Sequence, residues 1–434
     1  MPRTTRRSLV TAGLVVACGT VPLRASGLTL FQHGGRGAAQ AGALVARADE
    51  PSALRYNPAG LVGLDSFQLQ AGLDFTVSDV ELSAPGDGAG NAQAIHEIQF
   101  PPALYLSWKR APEARWALGF GVDSPFWSLL EWPGTNALAH SALKSEVTLL
   151  EGRAGAAFAL TDRWSVGGAT RWLTGSREQA AIDGFVYEAP DGATTPIALR
   201  QDADSTVDGA GFELALRYAA PSWGTGLVWT SGIELEGDGD ASFEALDVAT
   251  GALPGLATQF APFGIRHELE LPEQVTAGLW FAAGERTHLE LDVELARWSA
   301  ADGLRAIDAA SGDEIARLTP ERDWSDTVGV RVAVEHHHRS GWRLGAGFAW
   351  QESPVPDATR GFDFPYGDAR VAALGASYDF PGLSFDLGWS YHESAEADAD
   401  RFATDAGTSS FVATAQVFSV SARWRFGEEV PASD

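Results

Sequence analysis

Phe67-Gln68-Leu69-Gln70-Ala71-Gly72-Leu73-Asp74-Phe75-Thr76-Val77 carries an apolar residue at every odd position and a small or polar one at every even position. Successive side chains of a strand point to opposite faces, so this stretch has one greasy and one wet face. The alternation returns at Trp342, Leu344, Ala346, Phe348, Trp350 and at Leu383, Phe385, Leu387, Trp389, Tyr391. Fourteen such segments fall near 67–77, 100–109, 115–122, 146–159, 164–175, 209–219, 223–234, 272–282, 286–299, 324–336, 341–352, 369–380, 383–392 and 414–426. Most run about 9 to 14 residues, enough for a tilted strand to cross a bilayer. After every second segment the connection is tight: Ala111-Pro112-Glu113, Thr161-Asp162-Arg163, Pro221-Ser222, Gly284-Glu285, His337-His338-Arg339-Ser340 and Pro381-Gly382. The seven connections between are long. A soluble sandwich has no reason to keep that asymmetry, whereas a membrane barrel does. The expected fold is all-β, a 14-stranded antiparallel transmembrane β-barrel.

Composition agrees. The 434 residues carry a formal charge of −26, with 15 Trp, 22 Phe and 7 Tyr. A polytopic helical membrane protein needs several apolar runs of about 18 residues or more, and only Leu9 to Leu23 is of note. So many aromatic residues exclude a solvated, disordered chain. Acid excess without a basic patch excludes nucleic acid as a partner. Residues 1–25 read as an export signal, with Arg3, Arg6 and Arg7 before an apolar core and Ala25 as a small residue for cleavage. Its removal takes four arginines and no acid, deepening the charge from −26 to −30, and takes Cys18, the one cysteine. Val15-Val16-Ala17-Cys18 also fits a lipoprotein cleavage box, and Thr5-Arg6-Arg7 the twin-arginine route. Most tryptophans, Trp298 and Trp324 among them, fall near segment ends, as interfacial girdles require.

Residues 26–66 break the alternation. Small residues favour a helical stretch around 38–46, and Asn57 before Pro58 signals a turn or cap. Gly34-Gly35-Arg36-Gly37-Ala38-Ala39-Gln40-Ala41-Gly42-Ala43, Ala48-Asp49-Glu50-Pro51-Ser52-Ala53-Leu54 and Tyr56-Asn57-Pro58-Ala59-Gly60-Leu61 resemble the N-terminal hatch of FadL-type long-chain fatty acid transporters. The resemblance continues in Pro125-Phe126 with Trp132-Pro133-Gly134, in Leu143-Lys144-Ser145-Glu146, in Pro354-Val355-Pro356-Asp357 and in Leu374-Gly375-Ala376-Ser377-Tyr378. It implies a barrel plugged by its N-terminal segment, with Arg36, Gly37, Asn57, Pro58 and Ala59 as the hatch motif. It further implies uptake of fatty acids or, in some members, aromatic hydrocarbons. The domains expected are a signal peptide (1–25), the hatch (26–66), the barrel (67–426) and a C-terminal tail (427–434).

An apolar molecule gains nothing in a watery pore and must be caught by an apolar groove. Pro125 to Trp132 reads as a greasy extracellular loop, with Phe126, Trp127, Leu129, Leu130 and Trp132 as the candidate groove, joined by Leu256, Phe263 and Ile265. Packing of loops over the barrel mouth would produce the same composition. Turning the apolar parity outward puts Arg153, Arg171, Arg217, Arg331 and Arg343 into the lumen, facing Glu151, Glu213, Asp292, Glu294, Glu335 and Asp386. The ordinary role of such arginines is cross-strand pairing. Arg153, Arg331 and Arg171 are the candidate partners for a ligand carboxylate.

No HExxH, P-loop or GxSxG motif is present, so no catalytic residue, cofactor or metal is expected. His336-His337-His338 reads as a solvated turn. The expected function is passive uptake of hydrophobic molecules across a bacterial outer membrane by a monomeric, lipid-embedded barrel with both termini periplasmic. The alternatives are a barrel enzyme of lipase or protease type, for which His288 and His392 have the right parity, and a structural or adhesive barrel. On this topology a tag inserted near Asp238 is accessible on intact cells and one near His337 is not; the reverse labelling overturns it.

Overall fold

The computed structural model describes residues 32–426 apart from 87–89, 96–97, 135–141, 189–191, 193, 247–261, 302–303, 317, 320–321 and 406. The signal segment with Cys18, residues 26–31, Leu256 and the 427–434 tail lie outside the described residues. The barrel strands, in chain order, are β1 (Phe67–Ser83), β2 (Pro102–Trp108), β3 (Trp116–Glu131), β4 (Lys144–Ala159), β5 (Trp164–Glu188), β6 (Thr194–Ala219) and β7 (Trp223–Thr230, resuming as Ile233–Ala245), with short strands at Ala92–Gln93, Ile98–Gln99, Leu304–Asp308 and Ala397–Thr404 in the connections. Then follow β8 (Phe263–Leu271, resuming as Gln274–Ala282), β9 (Thr287–Ala296), β10 (Thr327–His337), β11 (Trp342–Gln351), β12 (Ala369–Phe380), β13 (Leu383–Ser394) and β14 (Gly407–Phe426). All pairings are antiparallel. β1 pairs with β2 on one side and, from Phe67↔Phe426 to Ser83↔Ser410, with β14 on the other. That seam closes a 14-stranded barrel, so every barrel strand is paired on both sides.

Each of the fourteen segments read from the sequence lies on one of these strands, and several strands overrun the expected lengths. β5 and β6, of 25 and 26 residues, pair from Trp164↔Tyr218 to Glu188↔Thr194, so the long loop expected between them shrinks to 189–193. A bilayer core accommodates only about 9–11 residues of a tilted strand, so the rest of this ribbon projects past it at the long-loop end. Along β1, Gln68, Gln70, Asp74 and Thr76 are buried inward while Phe67 and Val77 are exposed. Elsewhere Leu104, Phe120, Leu150, Phe212, Leu279 and Leu387 are exposed, the lipid-facing surface that the parity requires.

Aromatic contacts gather at the short-turn end: Phe67–Phe426, Trp108–Trp116, Trp164–Tyr218 and Trp342–Tyr378 have ring centroids 4.9–5.3 Å apart. Trp298 and Trp324 are not girdle residues. They are buried in an apolar cluster inside the long-loop end, 5.1 Å apart and edge to face.

Residues 32–66 fold inside the barrel as α1 (Gly34–Ala39), α2 (Ala53–Tyr56) and a 3₁₀ helix (Pro58–Gly63). α1 packs on β11–β14 and β1, and the 3₁₀ helix on β3–β6. The helix expected around 38–46 instead starts and ends earlier, because Ala41 (φ 49°) and Gly42 (φ 78°) are left-handed and terminate it. The plug sits so close to the wall that a side chain at Gly226 would collide with the Val45 carbonyl and the Asn57 amide. Gly226→Val should therefore leave a heat-modifiable barrel while making residues 32–66 accessible to protease; resistance equal to the unsubstituted protein refutes this seating.

Candidate functional site

The plug is tied to the wall by buried charge. Arg36 Nε donates to Glu335 Oε2 at 2.8 Å, and its Nη1 to Asp49 Oδ1 at 2.5 Å and Glu50 Oε2 at 3.2 Å. Arg47 pairs with Glu290 at 3.0 Å and with Glu335 at 2.9 Å. Unpaired charges here would carry several kcal/mol of desolvation each, so plug and wall carry one another's counter-ions. Gly37 lies against the Tyr56 hydroxyl, where no Cβ fits. Asn57 is extended and caps the 3₁₀ helix, its Oδ1 accepting from Ala59 N at 3.1 Å with Pro58 next in line. Its Nδ2 donates to Val45 O at 2.9 Å within the plug and to Leu216 O of β6 at 3.4 Å. Ala59 O accepts from the Ser165 hydroxyl of β5 at 2.8 Å. The motif thus joins the two halves of the plug to each other and to the wall.

Above the plug lies a cavity of about 90 Å³, and Arg153, Arg171 and Arg331 all line it, with Arg55, Phe126, Glu213 and Glu294. All three candidate arginines are already paired. Arg153 meets Glu151 at 2.8 Å and Glu213 at 3.1 Å, Arg171 grips Glu151 at 2.6 and 3.0 Å, and Arg331 meets Glu294 at 3.0 Å. Arg55 completes the set, 3.3 Å from Asp123, which also accepts from the Tyr105 hydroxyl at 2.8 Å. Three guanidiniums (Arg55, Arg153, Arg171) face three carboxylates (Asp123, Glu151, Glu213), so the floor of the cavity is electrically balanced.

The greasy stretch from Pro125 is not a loop. β3 continues through it to Glu131, with a register break between Asp123 and Phe126 where the ladder to β4 gives way. The alternation beyond the break splits the candidate groove. Phe126 turns inward to the apolar cluster at the mouth, with Leu149, Leu173, Leu271, Trp298, Trp324 and Phe364. Leu130 and Trp132 enter a separate cluster, where Trp132 stacks edge-on at 4.8 Å against Phe362 and donates to its carbonyl at 3.0 Å. Trp127 and Leu129, of the other parity, stay half-buried. Ile265 is buried with Phe263 beside it in a third cluster.

Sequence reasoning missed the least balanced charges at the mouth. Arg177 is fully buried on β5, with Cα partners Val147 and Ser205 on either side. It donates to Ser145 Oγ at 3.3 Å and Gln179 Oε1 at 3.0 Å, no described carboxylate pairs with it, and its Nε has no partner. Arg322 is buried too, 4.3 Å over the Phe364 ring and 2.9 Å from Asp363, with Nε and Nη2 unpartnered. Burial alone would raise the Asp363 carboxyl, but the Arg322 and Arg177 guanidiniums hold it below the usual carboxylate range, so it stays charged at neutral pH. Among the described residues, two buried guanidiniums thus share one counter-ion at the edge of the apolar cluster. Parity alone would have found Arg177, which follows Leu173 and Gly175 at every second residue on the inward face; no periodicity marks Arg322. For the enzyme alternative, Ser390 Oγ lies 2.9 Å from His392 Nε2, but Ser390 is fully buried in the wall.

A family model for outer membrane transport proteins (OMPP1/FadL/TodX) matches residues 16–426. A long-chain fatty acid transport protein of Escherichia coli O6:H1 is 22% identical over 390 residues, covering 84% of this chain and 85% of that protein. A Pseudomonas aeruginosa FadL homologue has a TM-score of 0.80 at 18% identity, over 92% of this chain and 100% of its own. The Pseudomonas putida toluene transporter TodX has a TM-score of 0.71 at 18% identity, with the same coverage.

Because Arg153 neutralises two buried acids, Arg153→Ala should destabilise the barrel by roughly 3–5 kcal/mol, read as a lower temperature of the heat-modified gel shift. An unchanged shift temperature would show that the acids are relieved some other way.

Proposed function

The chain belongs to the outer membrane transport protein family that includes FadL and TodX, and we propose that it admits hydrophobic carboxylic acids of the fatty-acid type. Its family is one of transport proteins rather than enzymes. The observation that carries the substrate class is the pairing of Arg177 and Arg322, with their unpartnered donors, with the apolar cluster beside them. A carboxylate arriving there takes up the excess positive charge through charge-assisted bonds, and its alkyl chain displaces apolar contacts among Phe126, Leu149 and Leu173. At the balanced cavity below, an added anion meets Glu213 and Glu294 as well as arginines. That station suits the moving molecule less than the mouth does, and Arg153, Arg171 and Arg331 there act on a ligand only by exchanging acid partners.

Phe126 and Leu271 belong to both the apolar cluster and the cavity lining, so the two are contiguous. A second space of about 280 Å³ opens at the short-turn end, lined by Arg36, Asp49 and His337. The plug lies between the two spaces. Passage joins them when the plug shifts, which requires the Asn57 bond to Leu216 to break while the ladder of strands stays closed. In this orientation the short turns and both termini face the periplasm. A sideways exit is favoured by one observation: Pro125 and Phe126 line the cavity at the register break in the β3–β4 ladder.

An aromatic hydrocarbon would use the Trp298–Trp324–Phe364 stack and neither arginine. Arg177→Gln should weaken oleate binding by roughly 10- to 150-fold, the worth of a charge-assisted hydrogen bond, and leave methyl oleate and toluene unaffected. Equal losses for acid and ester would make Arg177 a packing residue and remove the support for an acid substrate.

A further inference from the structure

We propose that His288, Glu335 and His337 form a transition-metal site at the short-turn end of the barrel, where a bound ion competes with the plug for Glu335. Strand register builds the site. His288 of β9 lies directly opposite Glu335 of β10, and His337 follows two residues later on the same inward face. A ligand atom from each of the three lies within 4.8 Å of the other two. His337 Nε2 is 2.8 Å from Glu335 Oε1, and the two imidazoles stand edge to face at 5.0 Å. His288 Nδ1 is shielded from solvent yet has no hydrogen-bond partner, and the ring is held in place against Trp280. Buried polar atoms are almost always satisfied, so an unpartnered nitrogen on a ring that stands beside a second imidazole and a carboxylate points to a ligand.

Two imidazole nitrogens and one carboxylate oxygen suit Zn²⁺, Ni²⁺ or Cu²⁺ and leave a coordination position for water; Mg²⁺ and Ca²⁺ prefer all-oxygen cages. Entry is open, because His337 lines the space at the short-turn end with the acids Asp49 and Asp379. His336 and His338 do not share the site: His336 contacts Thr287 and His338 contacts Ser340.

The consequence lies in Glu335. Its Oε2 accepts from Arg36 Nε and Gln40, both at 2.8 Å, and its Oε1 from Arg47 at 2.9 Å and, more weakly, from Arg36 Nη2 at 3.3 Å. An ion that draws Oε1 displaces Arg47, which keeps Glu290 at 3.0 Å, while Arg36 remains on Oε2. The plug then loses one wall tie without disturbing the strand ladder.

The test is calorimetric titration of Zn²⁺ into tag-free, full-length protein in detergent, with heat-modifiability confirming that each variant is folded. One ion per barrel is expected. His288→Gln and His337→Gln should each weaken binding by about 10-fold or more, His338→Gln should leave it unchanged, and Arg47→Ala should tighten it by freeing Oε1. No saturable binding at micromolar zinc, or the same affinity in His288→Gln and His337→Gln as in the unsubstituted protein, overturns the site. So does a loss in His338→Gln as large as in the other two.

Discussion

A backbone that crosses hydrocarbon must satisfy every N–H and C=O within the protein, and the seam between β1 and β14 is where this chain meets that demand. The constraint decides much else. Closing fourteen strands makes a cylinder too wide for its own side chains to fill, so the interior must hold water or another piece of chain. Here it holds residues 32–66. Because the inward parity is polar, that segment meets a wall of Gln, Asp, Glu and Arg, and its own arginines and acids answer it.

The plug is therefore a polar fit inside an apolar-coated shell, the inverse of a soluble domain. Arg36 and Arg47 converge on Glu335, and Arg55 joins the acids beneath the cavity. Such pairs contribute little net stability against an apolar alternative but are costly to break singly. That suits a segment that must hold one position against the wall and still be exchangeable, since partners can be swapped between neighbouring acids without stranding a charge. The mouth is built differently. There the apolar cluster is continuous, and among the described residues Asp363 alone answers Arg177 and Arg322.

Period two made the strands, their number and the inward face legible, because one face meets lipid and the other does not. The same parity put Arg153, Arg171 and Arg331 into the lumen, and they do line a single cavity. It put Glu151, Glu213 and Glu294 on that face as well, but not which arginine each one meets, which follows from register between strands rather than from spacing within one. The register break after Asp123 was hidden for a related reason: Ser124 and Pro125 both turn inward there, so Phe126 to Glu131 change phase, and an unbroken count read them as a loop. Trp298 and Trp324 misled because nearness to a strand end says nothing about which side of the wall a ring occupies. Arg322 lies in an irregular connection, where tertiary packing alone sets the position.

Only Leu64, Asp65 and Ser66 separate the 3₁₀ helix from β1, whose first residue already pairs with Phe426 at the seam. Three extended residues span at most about 11 Å, and Leu64 is itself buried. The plug is thus leashed at its C-terminal end to the strand that closes the cylinder. Any displacement of the plug must keep Gly63 within roughly that distance of Phe67. What remains is a swing about Ser66, whose φ of 56° makes the corner, with the largest excursion at α1. The free arm of that swing carries Arg36, so the reach of the leash sets which wall acids the arm can touch in its second position.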